Sequence, residues 1–318
     1  MSYFKIGKVV IRGKGILAPI ADYSTLPFRL LCREYGCSLL HTEMLHINYL
    51  LNHDINDISL LETCSKDNPL SVQLVGNFTN RKLTLDACNL ISANKKFGKI
   101  IDLNLGCPAS RIIGSNSGSA LLKDIDKIIP IIKEIKQTIN KPLTVKTRLG
   151  FNKNEIEKIS NKLISTGIDA LTIHGRLATN GYNIKSNIKE VYNIKENYQI
   201  PIIYNGDINS SSLNEILQYD FAGFMVARAA IKDPRIFSEI NNYFSNKKAN
   251  YNLQDKDEKQ KIIKKFLKIE NKYQIKLNKL KLILLSLFSE KCGAKLIRTK
   301  ICCTKTRDEL LSYVHSII

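Results

Sequence analysis

Short apolar runs alternate with longer amphipathic stretches over the first three quarters of the chain. The runs are Ile16–Ile20, Leu39–Met44, Leu70–Val75, Ile100–Leu105, Leu143–Leu149, Ala170–His174, Pro201–Asn205 and Gly223–Ala227. They are rich in Val, Ile and Leu and do not alternate strictly, which suits parallel strands buried on both faces. Between them, Thr25–Glu34, Arg81–Ala93, Ile125–Ile139 and Asn154–Ser165 carry helical spacing. Eight strand–helix units in about 230 residues predict an α/β fold, a (β/α)8 TIM barrel of ordinary size. A doubly wound open sheet is the rival, but no G-x-G-x-x-G follows the first strand.

From about Asn250 the strand signal stops. Lys259–Lys272, Leu277–Phe288 and Asp308–His315 show helical periodicity, with lysines on the outer face. The change of pattern predicts a barrel domain over residues 1–245 and a small all-helical domain over 246–318. A linker is expected near Ser245–Leu253.

Charge sharpens this division. The formal net charge is +19, and the segment from Lys247 to the end holds 18 Lys and Arg against 7 Asp and Glu. Such an excess points to an anionic partner, nucleic acid first. Lysines also accumulate in A/T-rich genomes, so the charge is supporting rather than decisive. No apolar run reaches the roughly 18 residues a spanning helix needs, and MSYFKIGKVVIRGKG has no signal core. The eight cysteines contain no C-x-x-C pair, so neither a metal site nor a disulfide framework is expected. A reduced, cytoplasmic protein without membrane or metal follows.

The strand ends hold the candidate chemistry, because barrels of this kind carry their catalytic groups there. In order they read Ala18-Pro19-Ile20, Glu43, Gln73, Asn104 with Cys107, Lys146 with Arg148, His174, Asn205-Gly206-Asp207 and Ala227-Arg228. Lys146 and Arg148 alternate on one strand and share a face; two buried cations need an anion or an electron-rich ring. Gln73, polar within an apolar strand, needs a partner. The last two ends lie where barrels build phosphate sites, with Gly206 for close backbone approach and Arg228 as a planar fork. Cys107 opens a Gly/Ser/Asn stretch, Pro108 to Ser119, that reads as a flexible loop. Taken alone, it could equally be a buried structural thiol.

Assembled, these residues resemble the tRNA-dihydrouridine synthases. The matching segments are LAPIADYSTLPFR at 17–29, TEM at 42–44, VQLVG at 72–76 and DLNLGCPASRIIGSNSGSALL at 102–122. VKTRLGF at 145–151, LTIHGR at 171–176, IPIIYNGDI at 200–208 and FMVARAA at 224–230 continue the series. The N-terminal segment leans towards the bacterial B-type branch. The resemblance implies an FMN-dependent oxidoreductase that reduces the C5–C6 bond of specific tRNA uridines with NADPH or NADH as donor. Hydride would pass from flavin N5 to C6 and a proton from Cys107 to C5; ordinary thiols, mostly protonated at neutral pH, suit that role. Ala18, Pro19, Ile20, Gln73, Lys146, His174, Asn205, Gly206, Asp207, Ala227 and Arg228 would hold FMN. Asn104, Arg148 and Arg176 would meet the substrate, the helical domain would grip tRNA, and a monomer is expected. Ile20, Ala227 and Leu177 depart from the family's usual Met, Gly and Thr. Two other classes remain open: an FMN barrel acting on a free small molecule, as dihydroorotate dehydrogenases do, and a non-catalytic RNA-binding barrel.

Overall fold

The computed structural model describes residues 2–181, 183–245, 256–289 and 294–318. It opens with an antiparallel hairpin, Tyr3–Ile6 (β1) and Val9–Arg12 (β2). Parallel strands follow at Gly15–Leu17 (β3), Leu40–His41 (β4), Leu45–His46 (β5), Leu70–Val75 (β6) and Ile100–Asn104 (β7). Leu143–Gly150 (β8), Ala170–Leu177 (β9), Ile202–Asn205 (β10) and Gly223–Val226 (β11) complete the set. Their order is β3-β11-β10-β9-β8-β7-β6-β4, and a parallel bridge from Ile16 to Leu39 brings the two ends together. This is the predicted (β/α)8 barrel.

One predicted strand is two. β4 and β5 share a single barrel position: the Thr42 amide still donates to the Ser71 carbonyl at 3.0 Å, but the Gln73 amide is accepted by Thr42 Oγ1 at 3.1 Å. The predicted helix Ile125–Ile139 is likewise divided into a 3-10 turn, Gly118–Lys127, and a helix, Ile129–Thr138. Pro130, which lacks an N–H and fixes φ, stands in the first turn of that helix and marks the break. The stretch after Cys107, expected from sequence as a loop, is in part helical. Ser110–Gly114 is helical, and Gly118, at φ +58, turns the chain so that the Ser119 amide donates to the Cys107 carbonyl at 3.0 Å.

Strand side chains sort by face. Val72, Leu74, Ile101, Leu103, Val145, Leu171 and Ile173 point outward into the main core beneath the helices. Where the strands begin the inward positions are largely apolar: Ile16, Ile100, Ala170 and Ile203 gather there with Ile6 and Ile11 of the hairpin. Both hairpin residues are fully buried, each contributing about 1.5–3 kcal/mol of apolar transfer. The hairpin is therefore the floor of the barrel. Towards the other end the inward positions of β7 to β10 turn polar and, with apolar residues after β3 and on β11, form a mouth.

Among the described residues, four helices follow: Lys256–Lys272, Leu277–Leu287, Ala294–Cys303 and Arg307–His315. Phe266, Leu280, Leu284 and Ile301 belong to the same continuous core as the barrel's outer face. Helix Leu26–Glu34 meets Lys256–Lys272, and Arg228–Lys232 meets Leu277–Leu287. Lys279 donates to Glu43 at 2.5 Å, and the Tyr23 and Ser286 hydroxyls lie 3.1 Å apart. Most of the expected linker lies outside the described residues. Among the described residues, no helix is long and apolar enough to cross a membrane.

Candidate active site at the barrel mouth

A cavity of about 240 Å³ opens where the barrel strands end, and the strand-end residues singled out from the sequence stand in its wall, except Gln73, which lies below it, and Glu43, which faces a separate cavity against the C-terminal helices. Strand pairing explains the convergence. Asn104 is level with Lys146, Arg148 with His174, and His174 with Asn205. One side of the cavity is apolar, with Ala18, Pro19, Ile20, Met44 and Met225; the other is cationic.

A buried polar chain fixes the turn that carries Cys107. Asp102 Oδ2 accepts from Gln73 Nε2 at 2.6 Å, and its Oδ1 accepts from Thr144 at 2.5 Å. Gln73 Oε1 in turn accepts from Asn104 Nδ2 at 2.8 Å. Asn104 Oδ1 receives the amides of Gly106 and Cys107 at 3.0 and 2.9 Å, while Arg148 Nε donates to the Gly106 carbonyl at 2.7 Å. Cys107 is thus held at both sides of its backbone and half-buried at the cavity edge. Gln73 is fully buried and level with Asp102, so it supports Asn104 from below instead of facing the cavity. Asn104's other donation goes to Met44 Sδ at 3.1 Å, a weak acceptor that a ligand could replace.

The cationic side is equally ordered. Arg176 donates to both Asp207 oxygens at 2.6 Å, to the Ile184 carbonyl, and through Nη1 to His174 Nε2 at 3.1 Å. A guanidinium has no acceptor, so Nε2 must accept and the ring's proton sits on Nδ1. Burial and the charges of Lys146, Arg148, Arg176 and Arg228 push the His174 pKa far down, so the ring is neutral. Burial, followed by the charge of Arg148, lowers Lys146 from 10.5 to about 8, against a smaller opposing pull from Asp102. Burial alone would raise the Asp207 carboxyl; hydrogen bonds from Arg176 and the Ser186 amide, with the Arg176 and Arg228 charges, hold it below its usual range. Arg228 reaches Asp207 at 3.1 Å from a largely exposed position. The site is a neutral imidazole and a strained ammonium facing an apolar wall, with an arginine at the rim.

Comparison with known proteins decides what this arrangement belongs to. The family model described as Dihydrouridine synthase (Dus) matches residues 16–315. The chain belongs to this family. It is 33% identical over 248 residues to tRNA-dihydrouridine synthase B of Pseudomonas syringae pv. tomato, covering 76% of this chain and 72% of that one. It is 35% identical over 247 residues to tRNA-dihydrouridine synthase B of Vibrio vulnificus, covering 76% and 75%. Among solved structures, histamine dehydrogenase from Rhizobium sp. 4-9 aligns with a TM-score of 0.56 at 12% identity. That alignment spans 84% of this chain and 50% of the other, and it shows the fold alone.

The departures from the family's usual residues noted from sequence find physical settings. The Ala227 methyl packs against the inner apolar cluster, as does Ile20 in part. Leu177 ends β9, and its carbonyl accepts from Arg148 at 2.9 Å. Gly206 has a reason other than ligand approach: its φ is +138, and a Cβ there would sit 2.1 Å from Ser186 Oγ. Met44, Met225 and Asp102 were missed. Asp102 was readable, since it lies two residues before Asn104 and so on the same face of its strand; the methionines gave no chemical signal.

Proposed function

We propose that the chain is a tRNA-dihydrouridine synthase that binds FMN at the barrel mouth and draws on NADPH or NADH. The observation that carries this reading is the gathering of Cys107, Asn104, Lys146 and His174 around one cavity with an apolar wall. FMN fits the donor set. The apolar residues suit a flat ring, and a second cavity of about 510 Å³ extends past Asp207 and Arg228 along Asn209–Ser211 and Lys232, giving room for a phosphate. When bound, FMN supplies the hydride chemistry.

The chain's own residues do the rest. Lys146, an ammonium that burial disfavours, would be the counter-charge to an anionic ring. His174 offers the Nδ1–H as a fixed donor. Arg228 exchanges part of its pairing with Asp207 for phosphate oxygens. Asn104 gives up its thioether contact to orient the uracil, with Arg148 and Arg176 bracing the wall around it. Cys107, fixed through both its amide and its carbonyl, delivers a proton to C5. A uridine must leave the tRNA stack to reach this depth, and the basic helices of residues 246–318 hold the RNA by its phosphates.

Purified protein is expected to be yellow, with about one FMN per chain, and to form dihydrouridine in tRNA. Cys107→Ala should keep the flavin and lose dihydrouridine formation at least a hundredfold, the scale of general acid catalysis. A colourless protein that takes up no FMN defeats the reading, and wild-type yields from Cys107→Ala remove the thiol as the acid. Mass spectrometry of tRNA digests decides the second point.

A further inference from the structure

The buried chain from Asp102 through Gln73 to Asn104 has a direction as well as a place. At one end the backbone amides of Gly106 and Cys107 donate to Asn104 Oδ1 at 3.0 and 2.9 Å. The Asn104 amide nitrogen must therefore face the other way, and one of its hydrogens goes to Gln73 Oε1 at 2.8 Å. That turns Gln73 Nε2 towards Asp102, whose Oδ2 accepts it at 2.6 Å.

Both ends demand the same orientation of the two amides between them. Backbone N–H groups only donate, and a carboxylate only accepts. Turning over either amide would set donor against donor on one side and acceptor against acceptor on the other. Water offers no relief at this depth: Gln73 is fully buried, Asp102 is 1% exposed and Asn104 5%. Unmatched polar groups are costly in such a place.

What remains for a ligand is the second Asn104 amide hydrogen. It lies against Met44 Sδ at 3.1 Å, and Asn104, Met44 and Cys107 all line the mouth. Because Asn104 also receives the Cys107 amide, this donor stands beside Cys107. When the thiol meets C5 of a pyrimidine, the neighbouring ring substituent is the one on C4, while the C2 oxygen lies across the ring. At C4 uracil carries an oxygen that accepts, and cytosine an amino group that donates.

We propose that Asp102 is a positioning residue that, through Gln73, holds Asn104 with an N–H towards the substrate, so that the site takes a carbonyl at C4 of the base and rejects an amino group. Rejection follows because an amino group would leave the buried N–H facing another donor. The inference rests on the uridine reading above and supplies the reason one base is chosen. Asp102 stands below the cavity wall and acts at two removes.

The test is a double-substitution cycle on the full chain as purified, read by thermal midpoint, flavin content and dihydrouridine formation in tRNA. Asn104→Asp sets an acceptor against Gln73 Oε1 and should lower the midpoint by about 3 °C or more. Adding Asp102→Asn supplies a donor at the far end, so Gln73 can turn over and the whole chain re-forms in reverse. Thr144, which donates to the other Asp102 oxygen at 2.5 Å, keeps its acceptor. The pair should recover at least half of the lost midpoint and retain its flavin. It should still lose dihydrouridine formation at least tenfold, because an acceptor now faces the uracil oxygen. With Gln73→Leu in all four proteins the recovery should vanish, since nothing then joins positions 102 and 104. Recovery that persists without Gln73 means that two carboxylates merely repel each other, and it overturns the relay, as does a pair that recovers nothing. Native rates of dihydrouridine formation by the pair overturn the selection of the base. Native protein that forms no dihydrouridine removes the uridine reading and base selection with it, while the midpoints still decide whether Asp102 orients Asn104.

Discussion

Lys146 shows how a single position in a strand becomes a sensor of its ligand. Burial and Arg148 bring it down to about 8, so between about pH 8 and 10.5 the unfolded chain holds a proton the folded chain has lost. Stability from this residue therefore rises with pH across that window. The unfolding free energy of the flavin-free protein, relative to Lys146→Gln, should increase by roughly 1–3 kcal/mol over it. Denaturant titrations at pH 8 and 10 check this, and parallel behaviour of the two proteins refutes it. At this scale the sequence was informative where polar residues interrupt an apolar strand, as with Lys146, Arg148 and His174. It could not tell which polar groups face the cavity. Gln73 and Asn104 look alike in sequence, yet one lies a level below the other because of strand register.

Among the elements, strand existence was legible and strand ends were not. Leu70–Val75 appears as expected, whereas Leu39–Met44 is divided by the Thr42 side chain, a tertiary contact that no local pattern carries. The alternation within β7 to β9 was hidden for a physical reason. Outward residues face helices, and the first inward residues of β7 and β9, Ile100 and Ala170, are equally apolar. The polar Asp102, Thr144 and Thr172 above them pair with buried partners or lie in a layer below the cavity. The hairpin β1–β2 was not anticipated, since the Val/Ile-rich segment around Gly7 was weighed only as a leader. Its contribution is measurable. Ile11→Ala, at a fully buried position in the floor cluster, should cost about 2–5 kcal/mol of stability. A loss below 0.5 kcal/mol in denaturant unfolding would mean the floor does not need it.

For the whole molecule, charge marks the C-terminal segment for an anionic partner and periodicity marks it as helical. The sequence reads as two domains with a linker, yet the core runs without a break from the barrel's outer face to Phe266, Leu280 and Leu284. Removing residues 246–318 would strip an apolar flank from the barrel, so single-lysine changes are the cleaner probe of RNA binding. The helix that begins at Arg228, beside the mouth, also touches Leu277–Leu287, which ties the rim of the site to the surface proposed to hold RNA.

The hairpin floor has a consequence for traffic. With Ile6 and Ile11 sealing the far end, the barrel has one doorway among the described residues, and under the proposed function a dinucleotide and a folded RNA would have to take turns at it. Neither can enter behind the other. Initial-rate plots against one substrate at several fixed concentrations of the other should therefore run parallel, and lines that intersect would mean both are accommodated together.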